Sequence, residues 1–259
     1  MKNKIKKYIF FATFIISILL LLYLCNFVYT IFENKIKLEN SFKQDTIFSI
    51  SKIVLFSSAF ADSNLNTNTS TTIKNLFQFT DIAIFIDQNS SEFDSSNTLK
   101  SVSIENITFN TKPNLGNPNL YFKDLTTFAT AKISEDNLIN TDLKFEVTSN
   151  NEIDYSKPIL YNNCANPITL CYKNNNLISE YTISNQTISY NGSLLKDCNI
   201  ILNNLKCNLS FYIIIENNLG HKYRCPINID IPLSNDTSSI FDGSYTYIYY
   251  PNYSFYLYT

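Results

Sequence analysis

The chain contains no tryptophan, one histidine (His221), one arginine (Arg224) and one methionine. A two-histidine metal site and an arginine-rich phosphate site are both excluded by those numbers. The four glycines, Gly116, Gly192, Gly220 and Gly243, stand apart, so there is no glycine-rich phosphate loop. No Gly-x-Ser-x-Gly elbow, Cys-x-x-Cys pair or calcium-loop pattern occurs either. No cofactor and no metal is therefore expected. Asparagine is the opposite extreme, at 36 of 259 residues, while charged residues make up 16%. That composition predicts a chain from an AT-rich bacterial genome. Asn, Ile, Lys, Phe and Tyr therefore carry weight only where they cluster.

From Tyr8 to Phe32 the chain runs 25 residues without a charge. At about 1.5 Å per residue this is roughly 37 Å of helix, enough to cross a bilayer core of about 30 Å with some tilt. Lys2, Lys4, Lys6 and Lys7 precede it, whereas Lys35 and Lys37 follow among Glu33 and Glu39. The lysine excess predicts a single-pass cell-membrane protein with a cytoplasmic tail (1–7), a transmembrane helix (8–32) and an extracellular remainder. Two other readings are a signal peptide cleaved near Ala61, after Ala59-Phe60-Ala61, and a lipoprotein leader ending at Cys25. Leu24 is too large for the second. Residues 1–61 carry a net +5 and residues 62–259 a net −7. An acidic outer portion with no basic stripe excludes nucleic acid as a partner.

Residues 33–61 read as a juxtamembrane stalk, since Ile47, Ile50 and Val54 recur at helical spacing, although their β-branching also suits a strand. Residues 62–75 are polar and read as a flexible tether. From Leu76 the period becomes two. Ile139, Thr141, Leu143, Phe145 and Val147 alternate with polar residues, as in a half-buried strand. Val102 and Ile104, then Ile107 and Phe109, alternate with a slip at Glu105-Asn106 that predicts a β-bulge. Further strands are expected at Phe79–Ile86, Pro167–Tyr172, Cys198–Leu202, Leu205–Ile215 and Tyr223–Ile231. The expected fold is an antiparallel β-sandwich over 76–259, with a possible subdivision near 149–158.

Cys164, Cys171, Cys198, Cys207 and Cys225 lie within 62 residues. In an oxidising compartment that clustering predicts disulfides, with Cys164–Cys171 and Cys198–Cys207 as the short-loop pairs and Cys225 odd. Seven of the 18 tyrosines fall between Tyr245 and Tyr258. This segment predicts a hairpin around Pro251-Asn252, opposing Tyr245 to Tyr258 and Tyr247 to Tyr256. The face bearing Thr246, Ile248 and Tyr250 would meet the core. Tyr245, Tyr247, Tyr249, Tyr256 and Tyr258 would then form an outward stripe, read either as cross-strand sheet packing or as a contact surface for a glycan, wall polymer or protein.

Two family resemblances supply alternatives. Thr169-Leu170-Cys171 resembles part of the Thr-Leu-x-Thr-Cys motif of sortase transpeptidases, which also pair an N-terminal anchor with an outer β-barrel. The resemblance implies an extracytoplasmic enzyme using Cys171, His221 and Arg224. Here, however, the histidine follows the cysteine and the Thr directly before it is missing. An apolar helix followed by β structure is similar to type IV pilin-like subunits, implying an envelope assembly, but the leader glycine and the helix glutamate are absent. The principal expectation is a non-catalytic, membrane-anchored surface protein with a binding or structural role in the envelope.

Overall fold

The computed structural model describes residues 2–42, 48–66, 69–88, 99–146, 160–161, 164–165, 167–184, 188–232 and 239–258. They fall in two compact units, Met1–Asp45 and Thr46–Thr259. The first is one helix, α1 (Lys2–Phe42). Its Thr13–Glu33 segment has a mean hydropathy of 2.3, with none of it buried inside the protein. The 21 residues of that segment span about 31 Å, long enough to cross a bilayer core. Ser17 and Thr30 return their hydroxyls to the carbonyls of Thr13 and Asn26 at 2.9 and 2.8 Å, so those polar groups need no water.

The second unit is mainly β. In chain order its strands are β1 (Phe48–Asn66), β2 (Thr71–Gln88), β3 (Leu99–Thr111), β4 (Asn117–Phe122), β5 (Leu143–Glu146), β6 (Leu160–Tyr161) and β7 (Cys164–Ala165). There follow β8 (Ile168–Ile183), the short helix α2 (Ser193–Asp197), β9 (Cys207–Asn217), β10 (Lys222–Ile231), β11 (Tyr245–Tyr249) and β12 (Tyr256–Leu257). One five-stranded sheet runs β11-β1-β2-β8-β4 and the other β12-β10-β9-β3-β5, while β6 and β7 form a separate pair. All pairings in the two large sheets are antiparallel, as expected for a sandwich.

Alternation places Ile53, Leu55, Ile82, Ile84, Leu170 and Tyr172 of the first sheet against Ile104, Leu209, Phe211, Ile213, Ile227 and Ile229 of the second. The long β1–β2 hairpin continues past this core. There Ala59, Ile73 and Leu76 are covered instead by Leu194 and Leu195 of α2 and by Leu205. The opposite face of the first sheet carries Phe79, Tyr121 and Cys171, covered by Ala131, Ile133 and Leu138. The expected bulge is present: the β3–β9 register shifts between Glu105 and Thr108, and Asn106 adopts φ +55°.

Several expectations are corrected. Residues from Phe48 are strand, so the stalk is not helical to Ala61; α1 itself continues to Phe42. The polar tract 62–75 is not a tether but the end of the β1–β2 hairpin, where Asp62 pairs with Lys74 and Asn66 with Thr71. β8 supplies the other edge, Thr71 opposite Ile183, so neighbouring strands satisfy the backbone of this tract. Ala59 and Ala61 are buried in this hairpin. Cys198–Leu202 is not a strand but the turn leaving α2. The strand expected from Ile139 begins only at Leu143, because the Ile139 amide is taken by the Leu120 carbonyl. The subdivision near 149–158 lies outside the described residues.

Candidate functional site

The tyrosine-rich segment does not form a hairpin. β11 joins the edge of the first sheet, pairing Tyr249 with Ile53, Tyr247 with Leu55 and Tyr245 with Ser57. β12 joins the edge of the second, pairing Tyr256 with Arg224 and Leu257 with Tyr223. Residues 250–255 cross between the sheets. Ser254 bridges to Ser49, and Phe255 is fully buried with its ring edge-on to Phe48 at 6.4 Å.

The face assignment is also reversed on β11. Residues directly paired in an antiparallel ladder share a face. Tyr247 and Tyr249 therefore lie on the inner side with Leu55 and Ile53, and Ile248 points outward, 48% exposed. Tyr245, Tyr247 and Tyr249 stack along the strand with centroids 6.5 and 6.0 Å apart and planes 24° and 27° from parallel. Burial pushes the Tyr249 hydroxyl well above its ordinary range. Only Tyr247, 39% exposed, offers much surface. Stacking at a core edge makes this ladder chiefly sheet packing.

Tyr256 and Tyr258 behave differently. With Tyr212 of β9 they surround the guanidinium of Arg224, whose carbon lies 4.7 Å from the Tyr212 ring centre, 5.2 Å from Tyr256 and 4.5 Å from Tyr258. Arg224 Nε donates to the Tyr256 hydroxyl at 2.8 Å. Such contacts contribute roughly 0.5–2 kcal/mol each and fix the rings on the outer face of the second sheet. Beside the cage, across β3, β9 and β10, lies a groove of about 280 Å³ lined by Asn106, Ser210, Tyr212, Pro226, Asn228 and Tyr253. Pro226 sits directly opposite Tyr212 in register, and Asn228 opposite Ser210. The Tyr253 hydroxyl donates to the Asn228 carbonyl at 2.9 Å, which seats its ring at the free edge of β10. An amide array borders the groove: Asn110 Nδ2 donates to Asn208 Oδ1 at 2.6 Å, and Asn208 Nδ2 to Asn228 Oδ1 and Asp230 Oδ1, both at 2.7 Å. The expected tyrosines thus divide between two sheets. Tyr212 and Arg224, which complete the cage, are two-residue-alternating positions on strands that sequence reasoning assigned no contact role.

Among the described side chains the expected disulfides are not present. Cys171, Cys198, Cys207 and Cys225 are buried free thiols, and Cys25 is an exposed thiol on α1. Cys198 lies in the cluster under α2, Cys171 on the opposite face of the first sheet, and Cys207 in the main core. The helical turn between Cys198 and Cys207 replaces the hairpin that would have joined them. Cys207 is opposite Ile231 whereas Cys225 is opposite Ile213, which separates those two along the sheet. Burial pushes the thiols up, to about 11 for Cys198 and Cys207 and about 12 for Cys225, as for small apolar core residues. The Cys164 side chain lies outside the described residues.

The residues of the sortase-like alternative are not brought together. Cys171 is fully buried in the middle of the first sheet, His221 is exposed in the β9–β10 turn, and Arg224 is held by its tyrosines on the second sheet. Among the described residues, no group of three His, Cys, Asp or Glu side chains is placed to hold a metal ion.

A second polar cluster lies under the segment covering the first sheet. Lys123 Nζ donates to Asp81 Oδ1 and Oδ2 at 2.8 and 2.7 Å and to the Thr130 carbonyl at 2.5 Å. The Ala129 amide donates to Asp81 Oδ2 at 2.7 Å. Burial raises the Asp81 carboxyl above its usual range, against the opposing pull of Lys123. Nearby, Glu135 accepts from Tyr121 and Lys173, both at 2.9 Å.

Together these features define a two-sheet antiparallel β-sandwich that follows an apolar helix long enough to cross a membrane and bears an aromatic groove on one outer face. No family model, curated protein or solved structure matches the chain.

Proposed function

We propose that this is a membrane-anchored, non-catalytic binding protein of the cell envelope, with its β-sandwich outside the membrane and its groove taking a neutral glycan of an envelope polymer. The observation that carries this reading is the groove itself, walled by the Tyr212 ring and Pro226 and adjoining the Arg224 cage. Rigid aromatic faces present apolar area at small entropic cost, and an amide array suits the alternating donors and acceptors of sugar hydroxyls. The net −7 of residues 62–259 favours an uncharged ligand over an anionic one. The lysine excess before the apolar helix supports a cytoplasmic N-terminus.

Two experiments test it. Full-length protein in detergent is incubated with purified envelope polysaccharide, and co-sedimentation is compared with the Tyr212→Ala variant. Loss of retention of about tenfold or more, the equivalent of about 1.4 kcal/mol, is expected; undiminished retention refutes the groove. For orientation, protease added outside intact cells should digest the sandwich and spare an N-terminal tag. Protection of the sandwich would place it on the other side.

A further inference from the structure

Asp81 and Lys123 stand apart from the groove, and their surroundings suit a reaction as well as an ion pair. The amine is 2% exposed and the carboxyl 0%. The Phe79 ring centre lies 5.1 Å from Lys123 Nζ, and Cys171, also fully buried, belongs to the same cluster. An apolar, water-excluded site disfavours a bare carboxylate, so Asp81 is suited to take a proton from the nitrogen that touches it. Holding both groups in contact gives the amine the advantage of an intramolecular reaction.

The covering loop supplies what the chemistry requires. The Ala129 amide points at Asp81 Oδ2 from 2.7 Å, where negative charge develops when the carboxyl carbon is attacked. The Thr130 carbonyl accepts from Lys123 Nζ and so orients the nitrogen. Ala129 reaches this position at φ +63°, an unfavourable region for a residue with a Cβ, so the aim of its N–H is imposed by the fold. Adjacent backbone groups thus offer one donor and one acceptor, which is the set an amide needs.

From this geometry we infer that Lys123 Nζ and Asp81 Cγ join in an intramolecular amide bond. A proton passes from the ammonium to Asp81 Oδ1, 2.8 Å away. The neutral amine attacks Cγ and the C–N bond forms, with the oxyanion at Oδ2 held by the Ala129 amide. A second nitrogen proton passes to Oδ1, the C–Oδ1 bond breaks, and one water leaves. No oxidant or co-reactant takes part. In the product Nζ–H donates to Thr130 and the amide oxygen accepts from Ala129. The bond ties β2 to the residue after β4, across the intervening β8, closing a loop of 42 positions. The sandwich of a surface-exposed protein is thereby locked against unzipping on this side.

The test is intact mass spectrometry of the denatured full-length chain. The expected mass is one water below that of the sequence. Proteolysis should yield a branched peptide containing both Lys123 and Asp81, with trypsin leaving Lys123 uncut. Lys123→Arg keeps a cation beside Asp81 but has no primary amine, and should show the full sequence mass with linear peptides. A wild-type chain of full mass overturns the proposal, as does a water loss that fragmentation maps elsewhere. Because the readout is made on denatured wild-type protein, it decides the question even where the variant fails to fold.

Discussion

Phe255→Ala separates the observed crossover from a terminal hairpin. In the expected hairpin of residues 245–258, Phe255 would lie on the same core-facing side as Ile248 and Tyr250, so truncating Phe255 or Tyr250 would cost about alike. In the structure it is the plug between the two sheet edges, 0% exposed and packed on Phe48. Phe48 in turn meets Tyr223 of the second sheet at 5.6 Å. Removing a fully buried phenyl ring costs about 3–5 kcal/mol, from lost transfer energy and from the cavity left between sheets that cannot close together. For a unit of this size each kcal/mol lowers the melting temperature by about 2–4 °C, so a fall of roughly 6–20 °C is expected. Tyr250, five residues earlier and 77% exposed, is the control; Tyr250→Ala should stay within about 0.5 kcal/mol. Thermal unfolding of the full-length protein in detergent, followed by near-ultraviolet tyrosine dichroism, reads both. Equal shifts for the two variants would refute the crossover and return the segment to the expected hairpin.

Other outcomes follow from the same geometry. Thiol-specific reagent should leave Cys171, Cys198, Cys207 and Cys225 unmodified in the folded protein, and all four should react in guanidinium without a reductant; a thiol recovered only after reduction would indicate a disulfide. Because burial lifts Cys198 and Cys207 to about 11 and Cys225 to about 12, the folded state keeps protons that the unfolded chain releases near the ordinary value of 9.0. Stability should be full below about pH 9 and decline above it, by up to roughly 2–3 kcal/mol per thiol near pH 11; denaturant midpoints across that range, with Cys225→Ala reducing the slope, check it. The Glu135 carboxyl is held low by the hydrogen bond from Lys173 and then that from Tyr121. Its contribution is present above its ordinary value of 4.5 and is lost as acid protonates it; at 67% side-chain exposure Glu135→Gln should cost under about 1 kcal/mol in chemical denaturation at neutral pH. Gly116→Ala should destabilise markedly, since φ is +91° and a Cβ would stand 2.2 Å from Asn174 Oδ1; a melting temperature equal to wild type would contradict that crowding.

The sequence alone settled whatever depends on nearest neighbours along the chain. Twenty-five consecutive uncharged, mostly apolar residues are long enough, as a helix, to span a bilayer core. Alternation at Leu205–Ile215 and Tyr223–Ile231 yields strands because side chains on an extended backbone switch faces at every residue. The slip at Glu105-Asn106 shows as a bulge for the same reason. What remained hidden depends on partners distant in sequence. Tyr249 is opposite Ile53, and Tyr256 opposite Arg224, so two adjacent short strands enter different sheets, which no local period distinguishes. The polar hairpin end at Asp62–Lys74 becomes strand because β8 lies beside it. Proximity in sequence suggested disulfides, but Cys198 and Cys207 are carried into separate apolar clusters, where a thiol serves as a small hydrophobic group. The groove, too, is a tertiary product: Asn106, Tyr212, Pro226 and Tyr253 meet only when three strands and a crossover are aligned. Period fixes how a strand's side chains alternate; only the packing of one sheet on another decides which face is core and which is surface.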